Sequence, residues 1–443
     1  MVNPNYPDGL QSYESHSKTP KHYVNVVKII LRYLLSSIFL PILALLDETE
    51  GVFMITFAIM NAVRGEDLNL HILGGGQLGK MLIEAASDWN IRCHVLDSDP
   101  NCSCSRLAWS FTNGHFNDFQ TVIDFCKDAT HITIEIEHVN TDALRQLKSE
   151  GKHVYPDPDM LDIIKDKGKQ KQFYANHQIP TSPFRLFDSE EEIISNIENK
   201  KLTLPFVQKS RTAGYDGKGV KVIRNQNDVS NLITGQSLAE DLIPFQKELA
   251  VIVARGPDGD IKAFPAVEME FHPTANLVEF LLSPAQISQS LEQKAQDLAC
   301  KVIDAFGLTG ILAVEMFLTN EGEILVNEVA PRPHNSGHHT IEANITSQYQ
   351  QLLRCIFELP LGNTDLTTTA RMVNLLGEDG YTGSAIYEGL AECLAEPGVY
   401  VHLYGKKITK PFRKMGHVTI VDKDPISTLK KANFVKQQLK IKA

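Results

Sequence analysis

The sequence predicts an α/β fold that continues into an α+β section, arranged as three consecutive parts. Three observations predict it. A strand, a glycine-rich turn and a helix open the regular part of the chain at Leu70; two alternating apolar strands flank a short polar loop near residue 320; and short strands and turns close the chain from Met372 onward. The length of 443 residues is enough for two or three domains with real cores. The expected divisions are an N-terminal extension over residues 1–66, a first domain over 67–160, a central domain over 161–365 and a small, mostly β domain over 366–443.

Composition narrows the function classes. With 43% hydrophobic and 22% charged residues the chain is an ordinary globular protein. A net charge of −11 argues against coating nucleic acid, while leaving room for local basic pockets. The seven cysteines are scattered without a CxxC pair, which suits free thiols in a reducing compartment, and a cytoplasmic location is expected.

The extension does not match the rest. Ile29 to Leu46 is apolar apart from Arg32 and two Ser, with lysines before it and Asp47 and Glu48 after it. Three readings compete: a membrane or targeting segment, a helix packed on the first domain, or translated sequence upstream of a start at Met60. The third is favoured, and membrane contact is expected only if the 29–46 segment is retained.

From Leu70 a short apolar strand runs into Gly74, Gly75, Gly76 and Gly79. A helix follows with Leu78, Leu82, Ala85 and Ala86 on its apolar face, then a second strand from Cys93 to Leu96 that ends in Asp97. This GxGxxG match and the acid at the end of the second strand make the domain Rossmann-like. The turn can cradle a phosphate on its backbone N–H groups, but it does not by itself specify a cofactor. A helix is expected over Phe119 to Cys126 and a strand over His131 to Ile136. Glu137 and His138 follow at the strand's C-terminal end, where open α/β sheets bind ligands; solvated edge acids are an equal alternative.

The PDPD stretch at 156–159 marks a boundary. A basic helix is expected from Ile163 to His177, with Lys165, Lys167, Lys169 and Lys171 mostly on a solvated face and one of them reaching a phosphate. A strand over Leu204 to Val207 leads to Lys209 and then to a loop with Gly214, Gly217 and Gly219. Between two strands, such a loop reads as a flap whose N–H groups close over phosphates, with Lys209 and Lys218 supplying charge. Leu238 to Ile252 reads as strand-like around Glu240, Asp241 and Glu248, and Leu291 to Phe306 as an amphipathic helix.

Ile311 to Leu318 alternates as a half-buried strand, with Ile311, Ala313, Glu315 and Phe317 on one face, and Ile324 to Val329 returns as its partner. A four-residue loop over Asn320 to Glu323 would oppose Glu315 to Glu328; a five-residue loop would oppose it to Asn327. The four-residue loop is preferred. Two opposed carboxylates destabilise a sheet unless compensated, and Mg²⁺ with substrate phosphates is the natural compensation. Past a helix over Ser347 to Leu359, the basic cluster of Lys406, Lys407, Lys410, Arg413 and Lys414 is a solvated tail or an anion site, preferred as the latter at Arg413 and Lys414.

The motifs GGGQLGKM at 74, EIEHVN at 135, KSRTAGYDGKG at 209, EVAPRPHNSGHH at 328, and YGK at 404 followed by RKMGH at 413 together resemble one family. It is the 5-(carboxyamino)imidazole ribonucleotide synthase family of ATP-grasp enzymes, the ATPase subunit type of phosphoribosylaminoimidazole carboxylase. The resemblance implies a pre-ATP-grasp domain, a central ATP-grasp domain and a small C-terminal domain, usually as a homodimer. It implies that ATP and bicarbonate form carboxyphosphate, which carboxylates aminoimidazole ribonucleotide in purine biosynthesis, with Mg²⁺ or Mn²⁺ and without biotin.

Carried onto this sequence, Lys167 and Lys209 would hold the nucleotide. Gly214, Tyr215, Asp216, Gly217, Lys218, Gly219 and Val220 would form the flap. Glu240, Asp241, Leu242 and Ile243 would form the adenine hinge, and Glu248 would meet the ribose, with His272 nearby. Glu315 and Glu328 would bind the metal beside Asn327. Gln77, Leu78, Lys406 and Arg413 would meet the ribonucleotide phosphate, Tyr215 and Asp216 its imidazole, and Arg332 the developing anion. Two other classes compete: an NAD-dependent oxidoreductase using the GGGQLG turn and Asp97, and a membrane-tethered, inactive binding protein. The first leaves Lys209 and the Glu315/Glu328 pair unexplained, and the intact pair argues against the second.

Overall fold

The computed structural model describes residues 68–212, 219–271 and 278–443. The apolar 29–46 segment, the flap residues Gly214, Tyr215, Asp216, Gly217 and Lys218, and His272 lie outside the described residues. Among the described residues no helix is long and apolar enough to cross a membrane.

The first sheet is fully parallel. β1 (Asn69–Leu73) sits at its centre, followed in the chain by α1 (Gln77–Ser87), β2 (Arg92–Asp97), β3 (Ser110–Asn113), α2 (Phe119–Cys126), β4 (His131–Ile134), α3 (Thr141–Ser149) and β5 (His153–Tyr155). The strand order is β3-β2-β1-β4-β5, so the chain reverses direction next to β1, and the β1 and β4 C-termini open a crevice there. Helices cover both faces, which is why β1 buries Leu70, Ile72 and Leu73 rather than alternating.

The expected basic helix is broken in two. α4 (Pro158–Ile164) ends before α5 (Lys167–Asn176), because Asp166 caps α5 by accepting the N–H groups of Gly168 at 2.8 Å and Lys169 at 3.2 Å. Arg211 grips the same carboxylate with Nε at 2.9 Å and Nη2 at 2.5 Å. The solvated-face expectation also fails. Lys165 donates to the Val139 carbonyl, Lys167 bonds Glu328 and Lys171 is buried, leaving only Lys169 exposed.

A small antiparallel sheet follows, built from β6 (Phe184–Phe187), β7 (Phe206–Ser210), β8 (Val220–Ile223) and β9 (Ser237–Asp241) in the order β6-β9-β7-β8. The run expected as one strand-like core from Leu238 to Ile252 therefore divides. β10 (Phe245–Arg255) belongs to a different sheet, and the break falls at Pro244, which has no N–H to give a ladder.

That second sheet continues through β11 (Ile261–Ala263), β12 (Val267–Phe271), β13 (Val278–Ser283), helix α6 (Gln289–Phe306), β14 (Gly310–Thr319), β15 (Ile324–Ala330) and helix α7 (Gln348–Ile356). It then runs on into β16 (Thr369–Leu376), β17 (Val399–Leu403) and β18 (Lys414–Asp422) before the last helix, α8 (Pro425–Gln438). The order is β15-β14-β10-β12-β13-β16-β18-β17, with β11 on β10, all antiparallel. The closing section is thus not only short strands and turns: two of its strands are eight and nine residues long and extend the central sheet.

The two faces of β14 are buried against different partners. Leu312, Val314 and Met316 pack under Ala299, Val302 and Phe306 of α6. Ile311 and Ala313 face Leu78, Met81 and Leu82 of α1 together with Tyr349 and Leu352 of α7. This second core ties the parallel domain to the central sheet. Deleting a side chain from such a strand leaves a cavity on top of the lost transfer energy. Leu312→Ala is expected to lower stability by about 2–5 kcal/mol in equilibrium urea unfolding.

Candidate active site

Glu315 does face Glu328, but by a different route from the four-residue loop. Leu318 pairs with Ile324 and Met316 with Val326, the register of a five-residue loop, which alone would set Glu315 against Asn327. A bulge between Met316 and Glu315 absorbs one residue and restores the Glu315–Glu328 pair. The extra residue is Asn327. As a result Asn327 and Glu328, adjacent in sequence, each meet a lysine: Asn327 Oδ1 accepts from Lys209 Nζ at 2.7 Å, and Glu328 Oε2 accepts from Lys167 Nζ.

The charges of this pair are unequal. The Lys167 ammonium, with Lys209 and His334 adding to it, holds Glu328 well below the usual carboxylate range against its burial. Burial and the neighbouring Glu328 push Glu315 up, and His334 Nε2 lies 3.5 Å from its Oε1. Glu248 is likewise raised by burial, to about 7. Among the described residues no three His, Cys, Asp or Glu side chains converge as a cage. Two facing carboxylates could instead serve a hard divalent cation that takes its remaining oxygens from water and phosphate.

A cleft of 380 Å³ runs from these carboxylates to the crevice of the parallel sheet. Lys167, Glu315 and Glu328 line it together with Gln77, Leu78 and Glu135, and the Arg332–Glu137 pair lies on the same wall. Glu137 is not a solvated edge acid, because its Oε1 lies 2.8 Å from Arg332 Nε with both side chains mostly covered. Glu135 lies under the glycine turn. It accepts the Leu78 N–H at 3.2 Å, and a Cβ at Gly76 would come within 2.4 Å of its Oε1. Burial lifts this carboxyl to about 7. Asp97 accepts the Gly75 N–H at 2.7 Å. The two acids therefore occupy donors that a dinucleotide pyrophosphate would need, and the oxidoreductase reading fails on that geometry.

The C-terminal section supplies the remaining wall through Tyr404 and Lys414. Lys406 and Arg413 are not on it. Lys406 Nζ donates to the Lys414 carbonyl at 2.8 Å and lies over the Tyr404 ring, while Arg413 Nη1 donates to the Ile408 carbonyl at 2.6 Å. The strand β18 places Lys414, one residue on, at the cleft instead.

The expected nucleotide residues Lys209, Glu240 and Glu248 sit on β7, β9 and β10. Glu240 is buried between Lys209 at 3.0 Å and Lys171 at 3.2 Å, and Leu242 is exposed just beyond it on the segment leading to β10. Asp241, the last residue of β9, is exposed and Ile243 is partly covered, while Val220 begins β8 opposite Lys209 with Gly219 just before it.

Residues 68–165 match the ribonucleotide synthetase pre-ATP-grasp domain, 172–349 the ATP-grasp domain, and 370–431 the phosphoribosylaminoimidazole carboxylase C-terminal domain. The N5-carboxyaminoimidazole ribonucleotide synthase of Bacillus subtilis is 37% identical over 356 residues, covering 79% of this chain and 90% of that protein. The chain belongs to the N5-carboxyaminoimidazole ribonucleotide synthase family.

The synthetase of Thermotoga maritima superposes on it with a TM-score of 0.77 at 40% identity, covering 85% of this chain and 99% of that one. The synthase of Aspergillus clavatus, solved in complex with ADP and 5-aminoimidazole ribonucleotide, gives 0.76 at 31% identity, covering 83% and 97%. The chain spans 63% of the length of another relative, the chloroplastic phosphoribosylaminoimidazole carboxylase of Vigna aconitifolia, to which it is 39% identical.

The synthase-family motif RPHNSGHH carries three histidines, and only His334 approaches a carboxylate of the pair. His338 is buried against Tyr349 Oη at 3.1 Å and the ring of His417, and His339 is buried beside it. Burial holds His339 down at about 4 and His338 and His417 well below 6.5. Between pH 6.5 and about 4 the unfolded chain takes up protons that the folded chain refuses. The stability these buried histidines contribute is therefore full above pH 6.5 and is lost as pH falls through this window. His339→Leu is expected to flatten that slope in urea melts taken at successive pH values.

Proposed function

We propose that this protein uses ATP and bicarbonate to carboxylate the exocyclic amine of 5-aminoimidazole ribonucleotide, giving 5-(carboxyamino)imidazole ribonucleotide, ADP and phosphate. The observation that carries the reading is the single cleft that joins the opposed Glu315–Glu328 pair to the glycine-turn crevice, with Arg332 between them. An ATP site at one end and a ribonucleotide site at the other would place the γ-phosphate, bicarbonate and the amine in one enclosure.

On this reading Lys209 and Lys167 bind the nucleotide phosphates, with Glu240 to Ile243 along the adenine and Glu248 at the ribose. Glu315 and Glu328 hold Mg²⁺, which when bound neutralises charge on the transferring phosphoryl group. The γ-phosphoryl group passes to a bicarbonate oxygen, releasing ADP. The amine then attacks the carboxyl carbon of carboxyphosphate, and phosphate leaves as the amine gives up a proton. Phosphoryl transfer needs position and charge more than covalent help, so the absence of a nucleophilic Ser or Cys among the expected site residues fits this chemistry.

Arg332 is preorganised by Glu137 to meet the carboxyphosphate anion. Gln77 and Leu78 meet the ribonucleotide at the helix start, with Lys414 opposite them. Tyr215 and Asp216 complete the acceptor site by resemblance alone, and a homodimer and a cytoplasmic location belong to the same proposal. Carboxyphosphate hydrolyses readily in water, which gives the 213–219 loop its reason to cover the site.

Phosphate release from ATP is expected to depend on both bicarbonate and aminoimidazole ribonucleotide. Release at background with the folded full-length chain would refute the reading. Glu328→Gln is expected to abolish Mg²⁺-dependent release, and near-normal turnover in that variant would dismiss the metal assignment. Arg332→Ala is expected to slow turnover by about 100- to 1000-fold, as the loss of one preorganised donor costs roughly 2.7–4 kcal/mol at the transition state.

A further inference from the structure

Lys171 is a fully covered charge that no motif singles out, with 2% of its surface exposed on α5. Its ammonium lies 2.5 Å from Thr181 Oγ1 and 3.2 Å from Glu240 Oε1. Thr181 donates its hydroxyl proton to the Val326 carbonyl at 2.6 Å and bridges that residue in parallel register. The next residue is the bulge residue Asn327, whose Oδ1 accepts from Lys209 Nζ at 2.7 Å, and Lys209 returns to Glu240 Oε2 at 3.0 Å.

These contacts close a circuit from Lys171 through Thr181, Val326, Asn327, Lys209 and Glu240 back to Lys171. It links the small sheet, through β7 and β9, to the central sheet at β15. Two ammonium groups share one buried carboxylate in it, one on each oxygen. Burial pulls the Lys171 amine down to about 8, with Glu240 opposing, so it remains an ammonium at neutral pH.

The division of Glu240 decides where Lys209 stays. With Lys171 ion-paired to Oε1, Lys209 is held by Oε2 on one side and Asn327 on the other, and its third N–H direction remains for a ligand. Without Lys171, Glu240 would keep a buried carboxylate oxygen with no cation, and the nearest remedy is to draw Lys209 in with both oxygens. That movement withdraws the ammonium from Asn327 and from the nucleotide.

We propose that Lys171 is a positioning residue for nucleotide binding, fixing the Lys209 ammonium between Glu240 and Asn327 while touching no substrate itself. The proposal rests on the ATP site described above. A contact of Lys209 made equally in the ground and transition states changes KM and leaves kcat in place.

The test is Lys171→Met, a substitution of similar length without the charge, in the full-length chain. KM for ATP is expected to rise tenfold or more, with kcat within threefold and KM for aminoimidazole ribonucleotide unchanged. The rise in melting temperature that MgADP gives the wild type is expected to shrink at the same MgADP concentration. A variant that melts cooperatively and keeps its KM for ATP within twofold overturns the proposal, as does an equal loss of kcat with KM unmoved, which would mark a merely structural role. If Lys171→Met does not fold, Thr181→Val carries the test, with an expected rise in KM for ATP of about threefold; an unchanged KM in that variant overturns the proposal. MgADP stabilisation needs no turnover, so a wild type that binds MgADP but releases no phosphate refutes the carboxylation reading while leaving the positioning role measurable.

Discussion

Two carboxylates facing each other across an antiparallel ladder repel, and in a partly desolvated cleft that repulsion is large unless cations are brought to them. Much of the central architecture serves this one constraint. Asp166 stops one helix and starts the next, so that Lys167 emerges at Glu328. β7 carries Lys209 to Asn327. The bulge at Asn327 gives each lysine its own acceptor on consecutive residues while keeping Glu315 opposite Glu328. What is left over is a carboxylate at Glu315 that no lysine among the described residues bonds, where a divalent cation would relieve most repulsion.

The glycine turn of the first domain obeys a related rule. Its N–H groups point at an anion, as in any strand-to-helix turn of this kind, but part of that anion belongs to the protein, in Glu135 and Asp97. The turn is thereby held in shape without a bound phosphate, and a ligand approaching Gln77 and Leu78 meets a surface already organised. Glu137 does the same for Arg332 from the neighbouring position of the same loop.

Much of this was legible in the sequence, and the parts that were not have identifiable physical causes. Ile311–Leu318 reads as half-buried, whereas both faces of β14 are covered; the residue that marks the cleft face is Glu315, the one charge in an otherwise apolar run. The helix over Phe119–Cys126 and the βαβ opening were equally plain. Loop counting could not reveal the bulge, since one extra residue within a strand leaves no trace in the apolar pattern. Nor did lysine spacing show that Lys171 is buried: its partner Glu240 is brought in by β9, far along the chain. The basic cluster points to Arg413 and Lys414 and the family resemblance to Lys406 and Arg413; the backbone at Leu403–Met415 sends Lys406 to a carbonyl and leaves Lys414 on the wall of the cleft. The bulge and the Lys406 contact are local backbone geometry, and the burial of Lys171 depends on a distant segment.

The continuous sheet from β15 to β17 has a consequence for how the protein can be taken apart. The C-terminal section looks like an accessory module by family matching, yet β13 pairs directly with β16 along Phe280–Ser283. A chain cut before β16 would leave β13 as a bare edge, with its unpaired backbone groups open to pairing with other chains. It would also unroof the cleft at Tyr404. Neither half is a self-sufficient module, so exchange of C-terminal sections between relatives has to carry the β13 ladder with it.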